Sequence, residues 1–402
     1  MPASADDVLA RLRRRCDRIL TESDLRQKLD LAAREGRQLR VKLGLDPTAP
    51  DVHIGHVVPL KVIRLFQDLG HKAVLIIGDY TARVGDPTGR NSTRPVLTGE
   101  AIDANAKTYV EQIGKVVRTD ADALEIRYNG EWLAAMNLVD LIRLAGRKTL
   151  AQVLEREDFK NRHAANQEIH LHELLYPLLQ GYDSLAVEAD VEMGGADQLL
   201  NNLVGREFQQ AEGMSPPAGQ CVIVTPLLVG TDGHVKMSKS KGNYVALTDP
   251  PGGDGGMFGK LMSLPDRVMG DYYRLLTDVP EEEYTSQIAA SPRDAKVRLA
   301  KLVIEEFHDK AAADAAERAF MTATHGGIPD DIEEKPVGKG PHGLVALLVD
   351  AGFAASNGEA MRLIKQGGVK LDGEKVADAK AEVTVDKPVV LQAGKRKFVR
   401  LT

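Results

Sequence analysis

His53 and His56 stand three residues apart in the run His53-Ile54-Gly55-His56, shortly after the turn-forming Gly44-Leu45-Asp46-Pro47-Thr48. At a helix start, residues at this spacing share one face. A helix N-terminus offers free N–H groups and partial positive charge, which suit a phosphate. Imidazole N–H groups can donate to phosphate oxygens as well. Gly55 has no Cβ, so a flat ring can approach the backbone there. A metal site competes with this reading, but no third ligand stands at a suggestive spacing. Far downstream, Lys236-Met237-Ser238-Lys239-Ser240-Lys241 runs into Gly242-Asn243. Small polar residues keep such a loop mobile, and its lysines can fold onto a polyphosphate. They would stabilise a leaving pyrophosphate more than the bound ground state. Alone, each motif also reads as surface: two capping histidines, or an exposed basic loop.

Three further groups of residues bear on chemistry. Tyr176, Gln180 and Asp183 are spaced to share one face of a helix whose neighbours Leu175 and Leu179 belong to a core. Polar groups aligned on an apolar helix need partners; a solvent-exposed edge is the alternative. Gly194-Gly195-Ala196-Asp197-Gln198 offers close backbone approach and a carboxylate able to grip ribose hydroxyls. Gly85-Asp86-Pro87-Thr88-Gly89-Arg90 follows an apolar strand, where open α/β sheets bind ligands, although a plain turn accounts for it equally well.

The elements that must position these groups follow from patterning. Residues 6–36 read as charged helix. Arg40 to Leu45 reads as a strand, His53 to Leu69 as a helix stopped by Gly70, and Lys72 to Gly78 as a strand buried on both faces. Strand, helix, strand makes a βαβ unit, and hence a parallel sheet. Pro59 falls in the early turns of its helix, where a kink is expected. Thr98 opens a helix running through Thr108 and Val117. Leu124 to Tyr128 is a strand, Leu171 to Leu179 a buried helix, and Val222 to Val229 a last apolar strand. Asp249 to Gly259 is rich in Pro and Gly and reads as loop; Asp266 to Thr322 is helical. Gly326 to Gly343 holds three prolines and five glycines and reads as a linker. A helix follows, then alternating Val369, Leu371, Val383, Val385, Val389 and Leu391.

The chain has 402 residues, 43% apolar and 27% charged, enough for two or three soluble domains. Its apolar runs, such as Ala73 to Ile77, are too short to span a bilayer. Asp6 and Asp7 precede any apolar stretch, so no secretory signal is visible, and two cysteines make no disulfide framework. These features point to the cytoplasm. Net charge is −6, yet residues 341–402 carry ten Lys or Arg against seven Asp or Glu. Any nucleic-acid contact is therefore expected to be local, with a solvated surface as the alternative.

Taken together and in this order, His53 to His56 and Lys236 to Ser240 resemble the two signatures of class I aminoacyl-tRNA synthetases. With Tyr176, Gln180, Asp183 and Gly194 to Gln198, nearly the whole chain resembles bacterial tyrosyl-tRNA synthetases. The resemblance implies an α/β fold of three parts. These are a Rossmann-like parallel-sheet catalytic domain at 1–248, a helical domain at 249–325 and, after a linker at 326–340, a small α+β S4-like RNA-binding domain at 341–402. It implies His53, His56, Lys236 and Lys239 as catalytic residues. Gly44, Asp46, Thr48, Gly55, Gly195, Asp197, Gln198, Met237, Ser238 and Ser240 would contact ATP. Asp183 would bind the phenol hydroxyl of tyrosine, Asp86, Tyr176 and Gln180 its ammonium, and Asn129 would lie near its carboxyl. Lys42 stands where some members place a tyrosine that also touches the phenol, so recognition rests on Asp183 or Lys42 takes part. Arg362 and Lys365, within Ser356 to Val369, would meet RNA phosphates. Further implications are tRNA(Tyr) as partner, Mg²⁺ arriving with ATP rather than in a protein cage, and a homodimer. A tryptophanyl-tRNA synthetase and a non-catalytic synthetase-like RNA-binding protein are the rival readings.

Overall fold

The computed structural model describes residues 4–86, 98–215, 217, 219–324, 332–394 and 397–402. The expected turn at Gly85–Arg90 lies largely outside them, as does the start of the expected linker. The chain forms two compact units, residues 1–248 with 264–292, and residues 249–263 with 293–402.

The first unit is built on six strands: β1 (Arg18–Leu20), β2 (Arg40–Leu45), β3 (Lys72–Ile77), β4 (Leu124–Tyr128), β5 (Val191–Gly195) and β6 (Cys221–Thr225). Their spatial order is β1-β6-β5-β2-β3-β4. All pair in parallel except β1, which lies antiparallel on β6. From β2 the chain crosses to β3 on one side, while β5 pairs on the other. The sheet therefore reverses its winding between β2 and β5, where open α/β sheets leave a crevice at their carboxyl ends. β3 and β6 are almost wholly buried and β-branched, as central strands under helices on both faces require.

Local boundaries have local causes. The Ile54–Asp68 helix starts at His53 and runs through Pro59 without a break. The Gly99–Ile113 helix is capped by the Thr98 hydroxyl, which accepts from Ala101 N at 3.3 Å. The buried helix expected over Leu171–Leu179 extends from Leu171 to Ala186, past its own Pro177, and so includes Gln180 and Asp183. Two readings are corrected here. Residues 6–36 are helices Ala5–Arg13 and Glu22–Glu35 with the edge strand β1 between them; three residues are too few to show a strand period. The last strand ends at Thr225 because Pro226 cannot donate to the ladder.

The helical part also divides differently from the expected single domain at 249–325. Residues 264–292 belong to the first unit. There Tyr272 OH donates to Val229 O at 2.6 Å. Arg14 and Arg15 donate to the carbonyls of Arg274, Leu275, Thr277 and Val279 at the end of the Met269–Leu276 helix. Side chains near residue 14, remote in sequence, thus cap a helix that composition alone assigns elsewhere. In the second unit a helix Met257–Met262 interrupts the expected loop, with Phe258 against Phe320. Its C-terminal portion packs helices Leu344–Asp350 and Asn357–Lys365 on a five-stranded sheet, with Leu344, Leu348, Ile364, Val369, Leu391 and Leu401 in the core. Arg362 and Lys365 are exposed while Ala360 and Ile364, on the same helix, are buried.

Candidate active site

A cavity of about 880 Å³ opens at the carboxyl ends of β2, β3, β5 and β6. This is the reversal point of the sheet. Every site residue expected from sequence in the first unit lines it except Lys42. Arg362 and Lys365 belong to the second unit.

One end gathers donors for phosphate. His53 and His56 stack with ring centroids 3.8 Å apart, and His53 N donates to His56 Nδ1 at 3.2 Å. His53 is only 8% exposed, so the reading of this motif as surface capping histidines is corrected. The backbone explains it, since Ile54 N donates to Val245 O and Leu247 N to Val52 O, pinning the first motif beneath the segment that follows the lysine loop. Exclusion from water, and then Lys239 nearby, push His53 down to about 3. Burial also drives His56 well below the ordinary imidazole range. Both rings are therefore neutral at pH 7 and act as hydrogen-bonding groups rather than cations. Among the described residues His53 Nδ1 is buried without a partner, packed toward Gly55. A Cβ on Gly55 would fall 2.9 Å from His53 Nδ1, so glycine is required there.

The lysine loop is folded by Asn243, whose amide donates to Asp232 Oδ2 at 2.6 Å and whose oxygen accepts from Ser238 N at 2.9 Å. Lys239–Lys241 forms one helical turn closed by left-handed Gly242. Lys236 Nζ meets Asp197 Oδ2 at 2.7 Å. Lys239 Nζ donates to Tyr109 OH at 2.8 Å and lies over its ring. Both ammonium groups stand on the cavity wall near Ser238 and Ser240.

The other end is carboxylate-rich. Tyr176 OH donates to Asp46 Oδ2 at 3.0 Å, and Thr81 Oγ1 donates to Asp46 Oδ1 at 2.8 Å. Gly78 must be glycine, because a Cβ would lie 2.0 Å from Asp46 Oδ1. Exclusion from water, and then the Asp86 carboxylate, push Asp46 up to about 7. Asp183 is 3% exposed and accepts from Trp132 Nε1 at 2.8 Å and Asn129 Nδ2 at 3.4 Å. Burial lifts it to about 6, against the pull of Lys42 and these two donors. Asp86 is held by Arg156 at 2.8 Å and by Gln198 Nε2 at 2.9 Å. Gln180 Oε1 accepts from Asn201 at 2.9 Å. Asn129 lines the same cavity, where its amide donates to Thr81 Oγ1 at 2.9 Å and to Asp183 Oδ2 at 3.4 Å.

Lys42 is fully buried and off the cavity surface. Its ammonium pairs with Glu192 at 2.8 Å and donates to Ser184 Oγ at 2.7 Å and Gln180 O at 3.0 Å. The expectation that it touches the amino acid is therefore corrected: β2 points it into the layer beneath the site. Sequence reasoning also missed Arg156, Trp132, Thr81 and Tyr109, which hold Asp86, Asp183, Asp46 and Lys239. Trp132 is the sole tryptophan of the chain; the others carried no local signal.

Comparison with known proteins resolves the family. A model described as class I tRNA synthetases (W and Y) matches residues 34–324. A tyrosine–tRNA ligase from Shewanella oneidensis is 49% identical across 100% of this chain and 99% of its own length. This chain belongs to the tyrosyl-tRNA synthetase family. A second family model, a tyrosine–tRNA ligase SYY-like C-terminal domain, matches residues 326–401. The tyrosine–tRNA ligase of Bordetella bronchiseptica is 48% identical over 98% of this chain and 95% of its own. Among solved structures, the tyrosyl-tRNA synthetase of Archaeoglobus fulgidus, determined with L-tyrosine, superposes with a TM-score of 0.63. It is 22% identical, over 77% of this chain and 99% of that one, a likeness of fold.

Proposed function

We propose that this chain is a tyrosine–tRNA ligase acting in two steps. The tyrosine carboxylate attacks the α-phosphate of ATP; the new C–O–P linkage forms as the α–β phosphoanhydride breaks, giving tyrosyl-adenylate and pyrophosphate. The terminal ribose of tRNA(Tyr) then displaces AMP and takes the tyrosyl group. No covalent enzyme intermediate is required, so positioning and charge stabilisation carry the rate. The observation that carries this reading is one cavity with neutral His53 and His56 and cationic Lys236 and Lys239 at one end, and buried Asp183 at the other. In this reading Asp183 accepts a hydrogen bond from the phenol hydroxyl, while Tyr176, Gln180 and Asp86 hold the ammonium. Gly44, Thr48, Gly55, Gly195, Asp197, Gln198 and Met237 cradle the nucleotide. Lys236 and Lys239 leave Asp197 and Tyr109 to meet the pyrophosphate, and Mg²⁺ enters with ATP. Choosing tyrosine over phenylalanine without editing follows from hydrogen-bonding the hydroxyl, and the general rule is documented on this very family.

Arg362 and Lys365, exposed on a C-terminal helix, would contact tRNA phosphates. A homodimer is supported by Leu138, Val139, Ile142, Leu150 and Leu171, large apolar side chains that are 54–82% exposed. A reducing, cytoplasmic setting agrees with two free thiols, Cys16 and Cys221, each pushed up to about 12 by burial. Among the described residues no helix is long and apolar enough to cross a membrane. Rapid mixing of the chain with tyrosine, ATP and Mg²⁺ tests the first step. The expected result is one pyrophosphate released per active site, followed by transfer of label from tyrosine to tRNA. A chain that binds tRNA but releases no pyrophosphate contradicts the reading and favours the non-catalytic alternative.

A further inference from the structure

Lys42 and Glu192 are direct partners in the register of β2 and β5, beside the point where the sheet reverses. Both are fully buried, on the face covered by the Leu171–Ala186 helix. Their ammonium and carboxylate meet at 2.8 Å. Around them Ser184 Oγ donates to Glu192 Oε2 at 3.0 Å, Gln220 Nε2 donates to the same oxygen, and Gln180 Nε2 reaches Glu192 Oε1 at 3.4 Å. Lys42 donates in turn to Ser184 Oγ and to the carbonyl of Gln180. The pair therefore grips the covering helix at residues 180 and 184. Asp183 lies between them and lines the cavity, as does Gln180. A buried ion pair contributes little net stability against an apolar pair of the same volume. Its placement directly beneath the amino-acid end of the site calls for another account.

We propose that Lys42 and Glu192 form a positioning pair that orients Gln180 and holds Asp183 as an ionised acceptor, so that selection of a phenolic amino acid depends on two residues that never touch it. The proposal rests on the reading of the site as a tyrosine pocket. It gives a role to the lysine that stands where, by resemblance, some members of the family place a second hydroxyl contact. A cation below the pocket strengthens the one remaining acceptor instead. Asp183 is faced by Lys42 from β2, Glu192 from β5, Trp132 and Asn129 from the segment after β4, and Asp46 from the loop after β2. Lys42 is the leading influence that favours its ionised form. Asp46 titrates in the same range, so an acid limb of activity belongs to the coupled carboxylates together.

The test uses Lys42→Met and the double variant Lys42→Met/Glu192→Gln in the full-length chain. The double variant removes both charges and keeps the volume, so its fold should survive even if the single variant melts. Specificity constants for tyrosine and phenylalanine are measured by pyrophosphate exchange from pH 5.5 to 8.5, with thermal melts alongside. In the double variant the melting midpoint should return close to wild type. Its tyrosine-over-phenylalanine ratio at pH 7 should stay about twofold lower, because an acceptor lifted from about 6 toward 7 is only half ionised there, and the deficit should widen toward pH 6. Its acid limb should move up, by up to about one pH unit, because the Lys42 attraction lost outweighs the Glu192 repulsion lost with it, and the ratio should recover at pH 8.5. A double variant with the wild-type ratio and limb would overturn the proposal, because the pair would then be core filling. Failure of the wild-type chain to prefer tyrosine at all would instead overturn the pocket reading beneath it.

Discussion

Replacing Asp183 with Ala should cost selectivity without costing stability. Asp183 is the buried acceptor at the floor of the cavity, with Trp132 Nε1 at 2.8 Å as its firmest partner. A hydrogen bond from a substrate hydroxyl to a charged group contributes about 1.5–3 kcal/mol. Phenylalanine cannot form it and leaves the carboxylate one donor short beside Trp132 and Asn129. Losing the acceptor should therefore lower the tyrosine-over-phenylalanine ratio of specificity constants by roughly ten- to a hundredfold. Stability moves the other way. Burial lifts the carboxyl from 3.8 to about 6, so near pH 7 the folded chain carries an ionised group at a cost of about 3 kcal/mol. Removing it relieves that cost and offsets the lost Trp132 bond and the small void. The melting midpoint should hold or rise. Asp86→Asn serves as the control, since an ammonium site weakens both amino acids alike. An Asp183→Ala enzyme that keeps its selectivity, or an Asp86→Asn enzyme that loses it, would refute the assignment.

Four other outcomes follow. Lys239→Ala should slow adenylate formation about 10²-fold with tyrosine affinity nearly unchanged, because its ammonium is needed only as pyrophosphate leaves; a normal single-turnover rate rejects the role. Arg156→Met strands Asp86 and Asp158, which it meets at 2.8 Å each, and should lower unfolding free energy by about 3 kcal/mol in denaturant titration, while an unchanged midpoint means the ion pairs are idle. His53, held near 3 when folded and near its ordinary value of about 6.5 when unfolded, contributes stability present above pH 6.5 and lost as pH falls toward 3. The gap in melting midpoint between wild type and a His53→Gln/His56→Gln variant should therefore shrink from pH 7.5 to 5, and a constant gap contradicts neutral burial. A chain ending at residue 325 should form adenylate normally yet charge tRNA at least about tenfold less well, the equivalent of about 1.4 kcal/mol of RNA contact; undiminished charging would remove RNA binding from the C-terminal portion.

What the sequence made legible was whatever is local or strongly patterned. His53 to His56 and Lys236 to Ser240 announce themselves as runs. β3 and the helix bearing Tyr176, Gln180 and Asp183 follow from apolar periodicity, and the reversal of the sheet brings them to one cavity. Lys42 was read as a pocket residue because it stands where, by resemblance, some members of the family place a tyrosine that touches the phenol. A β-strand alternates faces, but which face meets the cavity depends on the pairing of β2 with β5, and on Glu192 waiting opposite. Arg156 and Tyr109 belong to the same class. They act across 70 and 130 positions of sequence, respectively, on Asp86 and Lys239, and no window of residues carries such a pairing. The burial of His53 was invisible for a like reason, since the strand-like contact with residues 245–247 covers it from far downstream.

The most direct test of the account is amino-acid-dependent exchange of labelled pyrophosphate into ATP by the purified chain, run separately with tyrosine, phenylalanine and tryptophan. Exchange should be fast with tyrosine, lower by orders of magnitude with phenylalanine, and absent with tryptophan. Exchange driven best by tryptophan, or by no amino acid, would contradict it.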